Sequence, residues 1–172
     1  GVTPDAIAMA KGIGNGIPLI ALTTRREIAD SLSGKIWFNT FGGNPVSMVQ
    51  GLATLEVIDK EGIQANALTV GNYLKEKLTG LMDKHRLIGE VRGMGLMLGV
   101  ELVKDRKTKE PATSETAEVM ERTKNYGLLI GKGGLFGNTL RIKPPMCITK
   151  GDVDFLCETL DKVLGEVEAM AK

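Results

Sequence analysis

The sequence predicts an α/β layer that gives way to a second, smaller α+β domain, and three observations carry that reading. The apolar run Ala6-Ile7-Ala8-Met9-Ala10 has the length of a short buried strand and ends in a lysine and a glycine-rich turn. Apolar residues then recur at helical spacing from Val46 to Ile58 and again from Leu68 to Met82. Beyond residue 88, short strand-forming runs alternate with amphipathic stretches and are punctuated by glycine. The second helical pattern is expected to carry the chain from one layer to the next, which places the division at 1–65 and 66–172.

In chain order, the first strand is followed by an apolar run at Leu19 to Thr23 and a short helix at Arg25 to Leu32. Asn44 before Pro45 is an N-cap with proline at the first helical position, opening a helix that reads as a largely buried rod and stops near Gly62. An amphipathic helix spans Asn66 to about His85. Ile88 to Val103 reads as strand, with turns or close backbone approach marked by Gly89, Gly93, Gly95 and Gly99. Thr113 or Ser114 caps a helix that Gly127 ends; Leu128 to Ile130 and Thr139 to Ile142 are strands around the turn Lys132-Gly133-Gly134. Thr149-Lys150-Gly151-Asp152 is a capping box with Asp in place of Glu, opening a final helix. The chain begins at Gly1 and reaches its first strand almost at once, so a layer that needs earlier neighbours is expected to belong to a longer protein.

Composition narrows the function. The 172 residues hold 22 basic and 21 acidic side chains with 4% aromatics, which argues against a nucleic-acid partner, and no apolar stretch approaches membrane-spanning length. Cys147 and Cys157 form neither a metal-ligand spacing nor a disulfide framework and fit a reducing compartment. His85 is the one histidine, so histidine triads and multi-histidine metal sites are excluded.

Three clusters bear on chemistry. Lys11 in Ala10-Lys11-Gly12-Ile13-Gly14-Asn15-Gly16 leaves a strand for a crowded turn, where poor solvation favours the neutral amine that attacks a carbonyl to form a Schiff base; the alternative is a loop lysine reaching water. Asn39-Thr40-Phe41-Gly42-Gly43-Asn44-Pro45 sets a hydroxyl and glycine amides before a helix N-terminus, a place for phosphate, or else a capped loop with Thr40 serving its own backbone. Arg141, in Leu140-Arg141-Ile142-Lys143-Pro144-Pro145, suits two-point capture of a carboxylate, or else closes an internal salt bridge. Arg92 either braces its own turn through a carbonyl or carboxylate or has a functional part. The glycine runs at 12–16 and 93–99 miss the dinucleotide and phosphate-loop spacings.

Met9-Ala10-Lys11-Gly12-Ile13-Gly14-Asn15-Gly16, Phe38-Asn39-Thr40-Phe41-Gly42-Gly43-Asn44-Pro45, Val91-Arg92-Gly93-Met94-Gly95-Leu96 and Leu140-Arg141-Ile142-Lys143-Pro144-Pro145 follow one another in the order and spacing of class-III pyridoxal-phosphate aminotransferases, which the chain resembles. Lys132-Gly133-Gly134 and Pro144 to Lys150 resemble the mitochondrial alanine:glyoxylate branch of that class. The resemblance implies the C-terminal portion of a fold-type-I transferase, with pyridoxal 5'-phosphate as cofactor and amino and keto acids as substrates. It implies that Lys11 carries the cofactor and serves as catalytic base, that Thr40 binds the cofactor phosphate from the neighbouring subunit of a homodimer, and that Arg141 grips the substrate carboxylate. It also implies amino transfer from alanine to glyoxylate in a mitochondrial parent enzyme.

The same resemblance places the acidic partner of the pyridine nitrogen, the ring-stacking aromatic and the main phosphate loop before Lys11, outside this sequence; Asp5 is too near Lys11 for the acidic role. The 172 residues alone are therefore expected to be inactive. Ile20 stands where the family commonly has glycine or alanine. The phospho-lyases of phosphorylated amino alcohols, the ω-aminotransferases acting on ornithine or 4-aminobutyrate, and a non-catalytic interaction module are the alternatives.

Overall fold

The computed structural model describes residues 1–170. The chain divides into two compact units, Gly1–Gly62 and Ile63–Lys172.

In the first unit, β1 (Ala6–Met9) pairs antiparallel with β2 (Ala21–Thr24), in the register Ala6↔Thr24 and Met9↔Ala21. The strand expected to be buried is exposed along all four residues, because this two-stranded ribbon has no layer of the unit laid over it. Helix α1 is the short turn Arg26–Asp30. Helix α2 (Pro45–Lys60) begins as expected: Asn44 Oδ1 accepts from the Ser47 N–H at 3.0 Å, and Pro45 occupies the first turn. It is no buried rod, however. Only Ser47 and Gly51 are buried, and Val46, Val49, Leu52, Leu55 and Val57 lie exposed. Gly62, at φ +62°, provides the left-handed residue that closes the unit.

The second unit builds its own core. Helix α3 (Ile63–Lys84) places Val70, Leu74, Leu78 and Leu81 on one stripe, three or four residues apart. At Gly71 the helix meets the turn of the following hairpin so closely that a Cβ would lie 2.2 Å from the Gly95 carbonyl carbon. The hairpin is β3 (Ile88–Met94) and β4 (Met97–Leu102), with a bulge between Ile88 and Glu90. Then come α4 (Thr113–Thr123), β5 (Gly131–Gly133), β6 (Thr139–Ile142) and α5 (Lys150–Met170), and the sheet order is β3-β4-β6-β5 with every pairing antiparallel. Leu98, Val100, Leu102, Leu140 and Ile142 point from the sheet into a core shared with α3, α4 and α5.

Three details of this unit differ from expectation. The strand read at Leu128 to Ile130 is Gly131–Gly133, since those glycines pair with β6 while Leu128 and Ile130 pack against the core. Helix α4 starts without a side-chain cap; the Thr113 hydroxyl donates instead to the Phe136 carbonyl at 2.7 Å. Helix α3 begins earlier than expected, at Ile63. The capping box of α5 forms as read: the Thr149 N–H and hydroxyl both donate to Asp152 Oδ2, at 2.7 and 2.8 Å. Gly127, at φ +78°, ends the turn after α4.

Candidate active site

Lys11 opens a single 3-10 turn, Lys11–Ile13, directly after β1. Its φ of +55° puts a non-glycine residue in the left-handed region, which costs about 1 kcal/mol or more and persists only where surrounding contacts hold it. Those contacts come from α2. The Gln50 carboxamide donates to the Gly14 carbonyl at 2.8 Å and to Asn15 at 3.3 Å. Beside it, Gly51 leaves room for Leu19, whose Cδ2 would stand 2.5 Å from any Cβ there. Gln50 is a residue that sequence reasoning missed; its one signal is a carboxamide within an otherwise apolar helix.

Lys11 borders a cavity of about 460 Å³ together with Ala10, Ile20, Asn39, Phe41, Gly43 and Ser47. The structure thus brings Lys11 and the Asn39–Asn44 loop to one hollow within the first unit. Lys11 itself is exposed in this chain, so the poor solvation expected of it is not supplied by these residues. Ile20 lines the same hollow and is 79% exposed.

The loop before α2 is organised by Asn39 rather than Thr40. Asn39 Oδ1 accepts from the Phe41 and Gly42 N–H groups at 3.2 and 3.0 Å, so two of the amides that could meet an anion are already engaged. The Thr40 hydroxyl is exposed and does not serve its own backbone. Arg141 lies in the second unit, on the exposed face of β6, with Gly99 of β4 and Gly131 of β5 as its cross-strand neighbours. It lines a second cavity, of about 320 Å³, with Leu129, Lys143 and Pro144.

Lys11, Thr40 and Arg141 are exposed, and among the described residues no side-chain hydrogen bond or ion pair engages Lys11 Nζ, Thr40 Oγ1 or the Arg141 guanidinium. The internal salt bridge that stood as the alternative for Arg141 is therefore absent among them. Arg92 does brace its own strand: its Nη1 donates to Glu90 Oε2 at 2.7 Å and to Glu101 Oε2. The Arg92 guanidinium holds the Glu101 carboxyl below the ordinary carboxylate range, with Asn138 adding a weaker contact at 3.5 Å. No helix among the described residues is long and apolar enough to cross a membrane, and no cluster of three metal-ligating side chains occurs among them.

Residues 1–164 match the family Aminotransferase class-III, and the chain belongs to that family. It is 62% identical over 166 residues to alanine--glyoxylate aminotransferase 2 homolog 2, mitochondrial, of Arabidopsis thaliana, covering 96% of this chain and 35% of that protein. It is 46% identical over 174 residues to the human alanine--glyoxylate aminotransferase 2, mitochondrial, covering 99% of this chain and 34% of that protein. Among solved structures, a phospholyase from Arthrobacter in complex with phosphoethanolamine superposes with a TM-score of 0.91 at 33% identity, over 95% of this chain and 39% of that one. The chain spans about a third of the length of the curated relatives it matches.

Pyridoxal phosphate is the cofactor of this family, and the chemistry of two groups in this chain is compatible with it. Lys11 is a primary amine without a partner among the described residues, which suits an aldehyde, and the Thr40 hydroxyl, likewise without one among them, lies on the loop before a helix, which suits a phosphate.

Proposed function

We propose that this chain is the C-terminal portion of a mitochondrial homodimeric aminotransferase that moves an amino group from alanine, or a similar amino acid, to glyoxylate. The observation that carries this reading is the 62% identity, over nearly the whole chain, to a protein named for that reaction. When bound, pyridoxal phosphate supplies an aldehyde that condenses with amines and a ring that accepts electron density from the adjacent carbon. Lys11 Nζ is the amine that would hold the cofactor aldehyde and the base that would move the proton at the substrate Cα. The Thr40 hydroxyl would donate to the cofactor phosphate of the neighbouring subunit. The Arg141 fork takes the substrate α-carboxylate and so fixes the direction in which the Cα–H points.

In this reading the domains run 1–65 and 66–172, and the 172 residues alone do not turn over. Borohydride reduction of the whole enzyme with its cofactor, followed by peptide mapping, is expected to find the label on Lys11. Label on another side chain removes the assignment, and turnover of alanine and glyoxylate by the isolated chain removes the expectation of inactivity. The similarity to the phosphoethanolamine-bound phospholyase favours one second reading, elimination of phosphate and ammonia from a phosphorylated amino alcohol. Free phosphate released from phosphoethanolamine, without glycine formed from glyoxylate, selects it.

A further inference from the structure

The exposed face of the four-stranded sheet carries two arginines in one row. Arg92 on β3 and Arg141 on β6 both stand opposite Gly99 of β4, on either side of it. In the next row, Glu101 of β4 stands opposite Glu90 on one side and Thr139 on the other. Glu101 is thus the diagonal neighbour of both arginines. Diagonal positions on one face lie about 7–8 Å apart, within reach of side chains this long.

The carboxylate nevertheless goes to one side only. Arg92 Nη1 bridges Glu90 and Glu101, two like charges that face each other directly across the strands and would repel without it. Arg141 leans the other way, across Gly133 of β5, where a Cβ would stand 3.1 Å from its Cδ. Glycine stands opposite Arg141 on both flanking strands, Gly99 on β4 and Gly131 on β5, so no side chain at those positions screens it from Glu101.

We propose that Arg92 is a positioning residue that keeps Arg141 open to a substrate carboxylate by holding Glu101 away from it. The inference rests on reading Arg141 as the carboxylate-binding group. Without Arg92, repulsion from Glu90 turns Glu101 toward Arg141, and a fraction of the protein then presents a closed, internally paired arginine. Substrate binding weakens by that fraction, while the chemistry of the bound complex is unchanged. Lys109 also contributes to the field at Glu101, and if it took the carboxylate instead, Arg141 would stay open.

The test uses the whole enzyme with its cofactor and reads KM and kcat for L-alanine. Arg92→Gln is expected to raise KM about fivefold, the size set by competition from an exposed ion pair, with kcat within about twofold. Arg92→Lys restores most of the loss, and adding Glu101→Gln to Arg92→Gln returns KM to the parent value. A scaffold role alone would not be rescued by removing the carboxylate. An unchanged KM in Arg92→Gln, or no rescue in the double variant, overturns the proposal. Glu101→Gln alone removes the competitor and is expected to leave KM unmoved even if Arg92→Gln folds poorly; a rise overturns the proposal. Arg141→Met separates the two levels. If it leaves KM unchanged, the carboxylate role of Arg141 fails; if it raises KM while Arg92→Gln does not, that role stands and only the part of Arg92 is lost.

Discussion

Helices α2 and α5 are both rich in apolar residues, yet α5 buries eight positions within its unit and α2 buries Ser47 and Gly51 alone. Val153, Leu160, Val163 and Leu164 are all within 1% of complete burial, whereas Val46 is 72% and Leu52 57% exposed. The difference lies in what each helix has beside it. Helix α5 rests on α3, α4 and the inner face of the sheet. Helix α2 meets the lysine turn through Gln50 and Gly51 and little else within Gly1–Gly62. Apolar spacing therefore identifies a helix, while burial depends on neighbours that the spacing does not reveal.

The largest expected effect tests that contrast. Leu160→Ala removes a side chain that is 1% exposed and should cost about 2–5 kcal/mol, lost transfer energy plus the cavity left behind. Leu52→Ala, on a residue that is 57% exposed, should stay within about 0.5 kcal/mol. Peptide-resolved hydrogen exchange of the chain reads each unit separately. Equal costs at the two positions would erase the distinction between a unit that packs itself and one that does not.

What the sequence made legible follows the same line. The Asn44 cap, the Thr149 and Asp152 box, the stop at Gly127 and the strand at Thr139–Ile142 were all readable, because each depends on residues a few positions apart. The four ordered motifs identified the family for a related reason: they are local strings whose order the chain preserves. Ala6–Met9 and most of α2 are exposed within this chain, because burial depends on layers laid over an element rather than on its neighbours in sequence. The strand at Gly131–Gly133 went unseen because glycine has little strand preference of its own and pairs there only through β6. Gln50 reaches 36 residues back to Gly14, and Arg92 reaches 9 forward to Glu101, distances at which no spacing rule applies. Of the partners expected for a bracing Arg92, backbone carbonyls or a carboxylate, the structure shows carboxylates, Glu90 and Glu101.

A smaller effect comes from the cap of α2. Asn44→Ala leaves the Ser47 N–H without its 3.0 Å acceptor and should cost about 1 kcal/mol. Faster exchange confined to the first turn of α2 would report it. Spread of the effect through the second unit would contradict the division at Gly62.

The smallest expected effect compares this neutral cap with the charged one on α5. Asn44 does not titrate, so the cost of losing it should be the same at every pH. Asp152 differs, because the Thr149 backbone N–H, and then its hydroxyl, hold the carboxyl below its ordinary value of 3.8. A group whose folded value is depressed contributes stability that is complete above the unfolded value and lost as pH falls through the folded one. Asp152→Asn keeps an acceptor for the Thr149 N–H and removes only the charge, which also sits favourably at the start of the helix dipole. The parent chain should therefore melt slightly above the variant at neutral pH, and the gap should close at the acid end of a titration. A gap that stays constant with pH would mean that Asp152 acts through shape alone, as Asn44 does.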